Sequence, residues 1–589
     1  MTAEVLQWQF ESGFPYSGID DPFLEDHIAS IEPRTEAFIE HYRALFDKGF
    51  TAPSFLNFII ALETTYHLDY YPVSYLELQA AKNTTVTETA SDVWIRMGSA
   101  YRKRDSLFSE FLLQMTDDVR ESIFQSNELA PYKRVLVQQY QDAMLHTASN
   151  EPKLSQIDIH KTKLRDEYMS LRDHMKIILA DGEQLDSTSA YDRILNSTQR
   201  SQKRHIWEKI AAMYKENAKD AARVLNGLIK LNIQQETIAS ETTLAKQLRS
   251  SGFDEHMLHA MRTAAKDYLP DSKAIREQYA LHHGLPSMER WDMYAPRQSE
   301  RSYSLDLTIR AVQSSWERIH PNLGALIQKM IQEGWIDTQY GSNASFLQGS
   351  YGSPVHDWPR INFSGTISSV STVFHETGHA VYDYLAKRNS VYAGAVQYNS
   401  LAEMIALFSE KFGVSHIQSR NQAVDITDPK SVLGQNYTMP VTAMIWHEFE
   451  TVVYQRIRQG EQLSEDDFAL IYKQSVENWG IQVSEGEQWE WVGITHYFVY
   501  PFYCWNYAVG ELLANVLITL SIEYEKHDNT HEFGQKLAMF MAEGSSKDPR
   551  ELFLKYFDLD MHDDDFWQRG FRKAHEYAEY LRTTAHNTY

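Results

Sequence analysis

The chain has 589 residues, of which 56 are basic and 80 acidic, giving a formal charge of −24; it is 43% hydrophobic and carries 13 Trp, 34 Tyr and 27 Phe. Such a composition excludes a disordered chain, and an acidic surface without a basic stripe excludes nucleic acid as a partner. The single cysteine, Cys504, excludes an intrachain disulfide and a Cys-rich metal knot, so any metal must be held by His and carboxylate.

The N-terminal stretch MTAEVLQWQFESGFPYSG lacks a basic region followed by an apolar run, and no stretch of about 20 apolar residues is evident. The sequence thus predicts a soluble, cytoplasmic protein with no membrane partner; nothing in it sets an oligomeric state. Amphipathic helical patterns dominate, as at TEAFIEHYRALFDKG (35–49) and again over 201–240, while alternating strand patterns are scarce. The fold is therefore expected to be mainly α. Turn-rich breaks with clustered Gly, Pro, Ser and Asn fall at 149–153, 284–296 and 341–360.

After the last break, Asn362-Phe363-Ser364-Gly365-Thr366 reads as a short edge strand ended by glycine. A peptide could pair with Asn362, Phe363 and Gly365 through main-chain hydrogen bonds, giving affinity with little sequence preference. An ordinary internal strand is the alternative.

The segment STVFHETGHAVYDYLAKR (371–388) follows as a helix. His375 and His379 are four residues apart, one helical turn, so both imidazoles leave the same face and can converge on one ion. Glu376 flanks that ion and can take a proton from a water activated by it, whose pKa zinc lowers to about 7. A second helix, NSLAEMIALFSEKFG (399–413), puts Glu403, Leu407 and Glu410 at i, i+4 and i+7 on one face. A catalytic zinc site takes three protein ligands and leaves one position open, and His375, His379 and Glu403 make such a set for one Zn2+. Glu403 has another reading, since Ser400-Leu401-Ala402-Glu403 also spells a helix capping box. Glu410 suits an acceptor for the second N–H of a ligand imidazole, or a plain salt bridge. The acidic run Asp560 to Asp565 reads as a solvated loop or a helix start.

At these residues the sequence resembles the thimet oligopeptidase family of zinc peptidases, and within it the oligoendopeptidase F branch. The resemblance is carried by INFSGTISSVSTVFHETGHAVYDYL (361–385), by LAEMIALFSEKF with its seven-residue interval between carboxylates, and by HYFVYPFYCWNYAVGELLA (496–514). Weaker similarity covers 15–42 and 544–571, so it extends over nearly the whole chain. It implies a mainly α, two-lobed helical metallopeptidase with a deep central channel and a small β element beside the HExxH helix. An N-terminal helical lobe is expected at 1–198 and a catalytic metallopeptidase domain at 199–589.

The same resemblance implies that short unstructured peptides are cleaved at internal bonds. It also carries substrate or oxyanion contacts to His496, Tyr503 and Tyr507, all of which can donate hydrogen bonds of the kind a developing oxyanion needs. Each tyrosine can equally be a core-packing residue. Trp505 departs from the family, where another tyrosine is common, which leaves the choice between Tyr503 and Tyr507 open. Two rival functions remain: a related helical zinc carboxypeptidase, and a non-catalytic peptide-binding protein.

Overall fold

A computed structural model describes residues 16–80, 86–145, 150–180, 182–197, 199–282, 284–293, 302–340, 349–351, 358–387, 398–420 and 438–585. Among them the protein is mainly helical, with one two-stranded and one three-stranded sheet. It packs into two compact units, each assembled from three separated stretches. The first combines Met1–Thr147, Ser299–Ala423 and Leu520–Leu559; the second combines Ala148–Gln298, Val424–Thr519 and Asp560–Tyr589.

In the first unit, helices Ile31–Phe46, Ala52–Ala80 and Thr87–Gln114 close around an aromatic core. Phe38, Tyr42 and Phe46 recur every four residues and so line one face of their helix. Phe58 sits among them, its ring centroid 5.5 Å from Phe38, 5.1 Å from Tyr42, 5.4 Å from Phe108 and 5.5 Å from Phe111. Each such pair adds about 0.5–1.5 kcal/mol beyond the burial of its area.

The sheet of this unit has strand Trp358–Phe363 in the middle, parallel to Asp337–Tyr340 and antiparallel to Gly349–Tyr351. Asn362 and Phe363, expected on an edge strand, lie past the stretch that is paired on both sides: Gly349–Tyr351 pairs with Trp358, Pro359 and Arg360, while Asp337–Tyr340 pairs with Arg360 to Phe363. Asn362 is in register with Gln339 and Phe363 with Tyr340, and the Phe363 side chain is fully buried. The run WPRINF is buried at five of six positions, the pattern of a strand covered on both faces rather than an alternating one. Arg360, also fully buried, places Nε 3.1 Å from the Asp337 carboxylate on the neighbouring strand. Beyond the strand, Gly365 has φ +75°, and its carbonyl accepts the Tyr303 N–H at 2.8 Å. A left-handed residue at that point turns the chain, which is glycine's use. Thr366 then accepts the Ser369 N–H at 3.2 Å, capping the helix Ile367–Lys387 that follows.

In the second unit the predicted helix at 201–240 is the 40-residue helix Arg200–Ala239. A hairpin of Lys176–Ile178 with Gln184–Asp186 precedes it; three-residue strands carry too little alternation to be read from sequence. Tyr168 stacks on Phe498 with ring centroids 3.7 Å apart and donates to the Val492 carbonyl at 2.9 Å, which fixes the start of the aromatic segment. The helix Trp505–Lys526 is long and apolar enough to cross a membrane, contrary to the sequence reading. Yet 83% of its most apolar window is buried in the protein, as in a core helix. The acidic run leads into the helix Asp564–Ala585, where Asp564 and Asp565 occupy the first turn and favour the positive end of the helix dipole.

Candidate metal centre

The helix Ile367–Lys387 carries His375, Glu376 and His379, and the helix Asn399–Arg420 carries Glu403 and Glu410. Val370, Val373, Phe374, Ala380 and Val381 bury the apolar side of the first helix. The two helices approach closely because small residues face one another. A β-carbon at Gly378 would lie 2.8 Å from the Ala406 Cα and 2.9 Å from the Ser409 Cβ, and one at Gly413 would fall inside the Phe374 ring. The Ser409 hydroxyl donates to the Phe374 carbonyl at 2.7 Å, tying one helix to the other.

That proximity brings three donors together. Nε2 of His375 and Nε2 of His379 are 3.2 Å apart. The Glu403 carboxylate lies 3.7 Å from the first and 3.8 Å from the second. Two ligands bound to one tetrahedral zinc at 2.0–2.1 Å sit about 3.4 Å from each other, so the donor set fits such an ion. Taking one atom per residue, all three lie within 4.8 Å of one another, and among the described residues no other His, Cys or carboxylate group of three does so. The capping-box reading of Glu403 fails on position. Ser400 lies inside the helix rather than at its cap, and its buried hydroxyl has no hydrogen-bond partner.

Glu410 meets the other side of the first imidazole, with Oε2 3.5 Å from His375 Nδ1. Its second oxygen accepts from the Ser371 hydroxyl at 2.6 Å. Ser371 was not singled out from the sequence, although it stands one helical turn before His375 and therefore on the same face. Burial raises the Glu403 pKa. Burial also works to raise Glu410, but the hydrogen bonds from His375 and Ser371 prevail and hold it below the usual carboxylate range. For His375, burial alone would lower the pKa, yet the Glu410, Glu403 and Glu376 carboxylates around it raise it on balance. Excess negative charge around two imidazoles is the electrostatics of a cation site. Glu376 itself is buried, with 8% of its surface exposed.

The residues expected on the carbonyl side form a cluster in the second unit. His496 Nε2 and the Tyr507 hydroxyl are 2.9 Å apart. The Tyr503 ring lies 5.7 Å from the His496 ring at 12° to it, in a stack. Burial, with a smaller push from Arg172, lowers the His496 pKa and so favours the neutral imidazole. Tyr507 is 38% exposed and Tyr500 61%, which sets them apart from core aromatics. Trp505 is fully buried against Phe253, ring centroids 5.2 Å apart, so the residue that departs from the family pattern serves the core.

Comparison with known proteins gives a consistent set of relatives. Residues 341–573 match Peptidase family M3. Group B oligopeptidase PepB of Streptococcus agalactiae is 20% identical over 413 residues, which is 67% of this chain and 66% of that protein. An oligoendopeptidase F homolog of Lactococcus lactis is 20% identical over 396 residues, 65% of this chain and 64% of its own. The chain thus matches just under two thirds of the length of these curated relatives. Among solved structures, a chain from Chlamydophila abortus has a TM-score of 0.79 at 18% identity, covering 98% of both chains. Oligoendopeptidase-F from Enterococcus faecium has a TM-score of 0.65 at 15% identity, covering 96% of this chain and 99% of that one. The resemblance read from the HETGH block and its neighbours is borne out, and so is the helical fold it implied.

Proposed function

We propose that this chain, whose residues 341–573 match Peptidase family M3, is a zinc-dependent oligoendopeptidase that hydrolyses internal bonds of short unstructured peptides. The observation that carries this reading is the convergence of His375, His379 and Glu403 on one point, with a general-base candidate one residue along the same helix. When bound there, zinc lowers the pKa of water to about 7 and polarises a carbonyl.

Each protein group then has one task. His375, His379 and Glu403 would hold the ion. Glu410, itself held by Ser371, orients the His375 ring through Nδ1. Glu376 takes a proton from the attacking water and delivers it to the leaving amine. His496 with Tyr503 or Tyr507 offers hydrogen-bond donors to the oxyanion as it forms. The names of the oligopeptidase relatives support the choice of short peptides as substrates.

The test is metal analysis of the purified protein, followed by digestion of a defined peptide of about ten residues and weighing of the products. One zinc per chain and internal cleavage that stops on chelation are expected. Stepwise loss of C-terminal residues would replace this reading with a carboxypeptidase, and absence of both zinc and cleavage after reconstitution would end it.

A further inference from the structure

The helix Thr438–Arg458 of the second unit presents His447, Glu450 and Tyr454 at i, i+3 and i+7, hence on one face. All three are buried, and all three converge on Phe502. The Phe502 ring lies 4.7 Å from the Tyr454 ring and 5.9 Å from the His447 ring. Its backbone N–H donates to Glu450 Oε1 at 2.7 Å. Asn232 in turn donates to the Tyr454 hydroxyl at 2.7 Å, so the socket is braced from the long helix behind it.

Phe502 has φ +56°. A bulky residue in the left-handed region is strained and persists only where its surroundings impose it. Here the surroundings are the two rings and the carboxyl of one helix face. No described cation is paired with Glu450, so the amide of Phe502 is the partner the structure gives it. A buried carboxyl without a counter-ion is expensive, and packing alone would be served better by leucine.

The next residue is Tyr503, whose N–H closes a turn onto the Tyr500 carbonyl at 3.1 Å and whose ring stacks on His496. Its own carbonyl accepts the Asn506 N–H at 2.9 Å, one residue before Tyr507. The direction in which Tyr503 leaves the turn is therefore set by the φ and ψ of Phe502.

We propose that Glu450 is a positioning residue: by accepting the Phe502 N–H it fixes the strained turn that holds Tyr503 against His496. The consequence for turnover rests on the peptidase reading above; the anchor itself does not. Cys504, fully buried two residues beyond Phe502, is the only thiol in the chain and serves as a built-in reporter of the turn.

The experiment compares wild type with Glu450→Gln, Glu450→Leu and Glu450→Asp. Three readouts are used: the rate at which the thiol reacts with a disulfide reagent, hydrogen exchange of the 500–507 segment, and kcat and KM on a short peptide at equal metal content. Glutamine keeps an oxygen in place and should leave all three near wild type. Leucine has no acceptor and aspartate is one methylene short. Both should speed thiol reaction and amide exchange at least tenfold and lower kcat at least tenfold, with KM changed less than threefold.

Should the leucine variant fail to fold, the aspartate variant carries the same comparison. Free-peptide exchange at Phe502 in the wild type overturns the anchor whatever the variants do. A loosened turn with unchanged kcat overturns the positioning role. A wild type inactive on all peptides overturns the peptidase reading, while thiol reactivity and exchange still decide the anchor.

Discussion

Gly378 faces Ala406 across the two helices that carry the candidate ligands so closely that a β-carbon on the glycine would lie 2.8 Å from the alanine Cα. Replacing an exposed helical glycine by alanine ordinarily stabilises a protein by about 1 kcal/mol. Here the sign should reverse. Gly378→Ala must push backbone against backbone, and overpacking of this kind costs about 1–3 kcal/mol. Because His375 and His379 lie on one helix and Glu403 on the other, zinc affinity should fall with stability. Urea unfolding of the metal-free protein and competitive zinc titration check both; a variant more stable than wild type would contradict the close approach.

Glu376→Gln should keep one zinc per chain, because the residue is not one of the three converging donors. Its kcat should fall by about 10²–10⁴, the usual contribution of a general base. Metal analysis beside steady-state kinetics reads this, and near-wild-type turnover would remove Glu376 from the mechanism.

Ser371 and Glu410 form a short chain behind His375. Outer partners of a ligand histidine are typically worth 10–100-fold in metal affinity. Glu410→Ala should lose about that much, and Ser371→Ala less, since it leaves the carboxylate in place but free to rotate. Chelator competition orders the two variants, and a Ser371→Ala effect larger than that of Glu410→Ala would mean the serine acts by another route.

A pH dependence follows from the socket around Phe502. Burial pushes the Glu450 carboxyl up to about 8 from its ordinary 4.5, the Phe502 hydrogen bond only partly opposing it. Between those values the unfolded chain has released a proton that the folded protein keeps, so the folded state loses ground as pH rises. His447 works the other way: burial pushes it down to about 4, and its contribution is lost as pH falls below 6.5. Tyr454, Tyr497 and Cys504, which also face Glu450, are pushed up by burial and titrate above this window. Comparison with Glu450→Gln isolates the carboxyl. The variant should gain on wild type as pH rises from about 5 to 8, on the order of 1 kcal/mol per pH unit. Melting temperatures taken side by side across that range would show a growing gap; parallel curves would contradict it.

What could be read from the sequence was what local geometry dictates. The spacing of His375 and His379, and of Glu403 and Glu410, is a property of any helix, so the faces could be named before the fold was known. The 40-residue helix Arg200–Ala239 was visible for the same reason. The place of Asn362 and Phe363 within their sheet was not legible, because it depends on strand Asp337–Tyr340, more than twenty residues upstream. Ser371 carried only a weak signal, its one-turn offset from His375, and a hydroxyl at such an offset is common. Phe502 carried none, since a left-handed phenylalanine looks like any other until the helix bearing Glu450 is placed against it.

The interleaving of the two units bears on synthesis. The first unit draws on Leu520–Leu559 and the second on Asp560–Tyr589. A chain emerging from the ribosome can therefore complete neither unit until most of it has been made. Contacts between residues hundreds of positions apart are slow to form and leave apolar surface exposed while they wait. Most of the packing on the HETGH helix can be assembled before that point, since the helix Asn399–Arg420 and the strand Trp358–Phe363 are its neighbours in sequence. The helix Thr530–Ala542, which also packs on the HETGH helix, arrives more than a hundred residues later. Truncation before it should yield a chain that collapses without finishing, so in the cell this fold would lean on holding chaperones more than its helix content suggests.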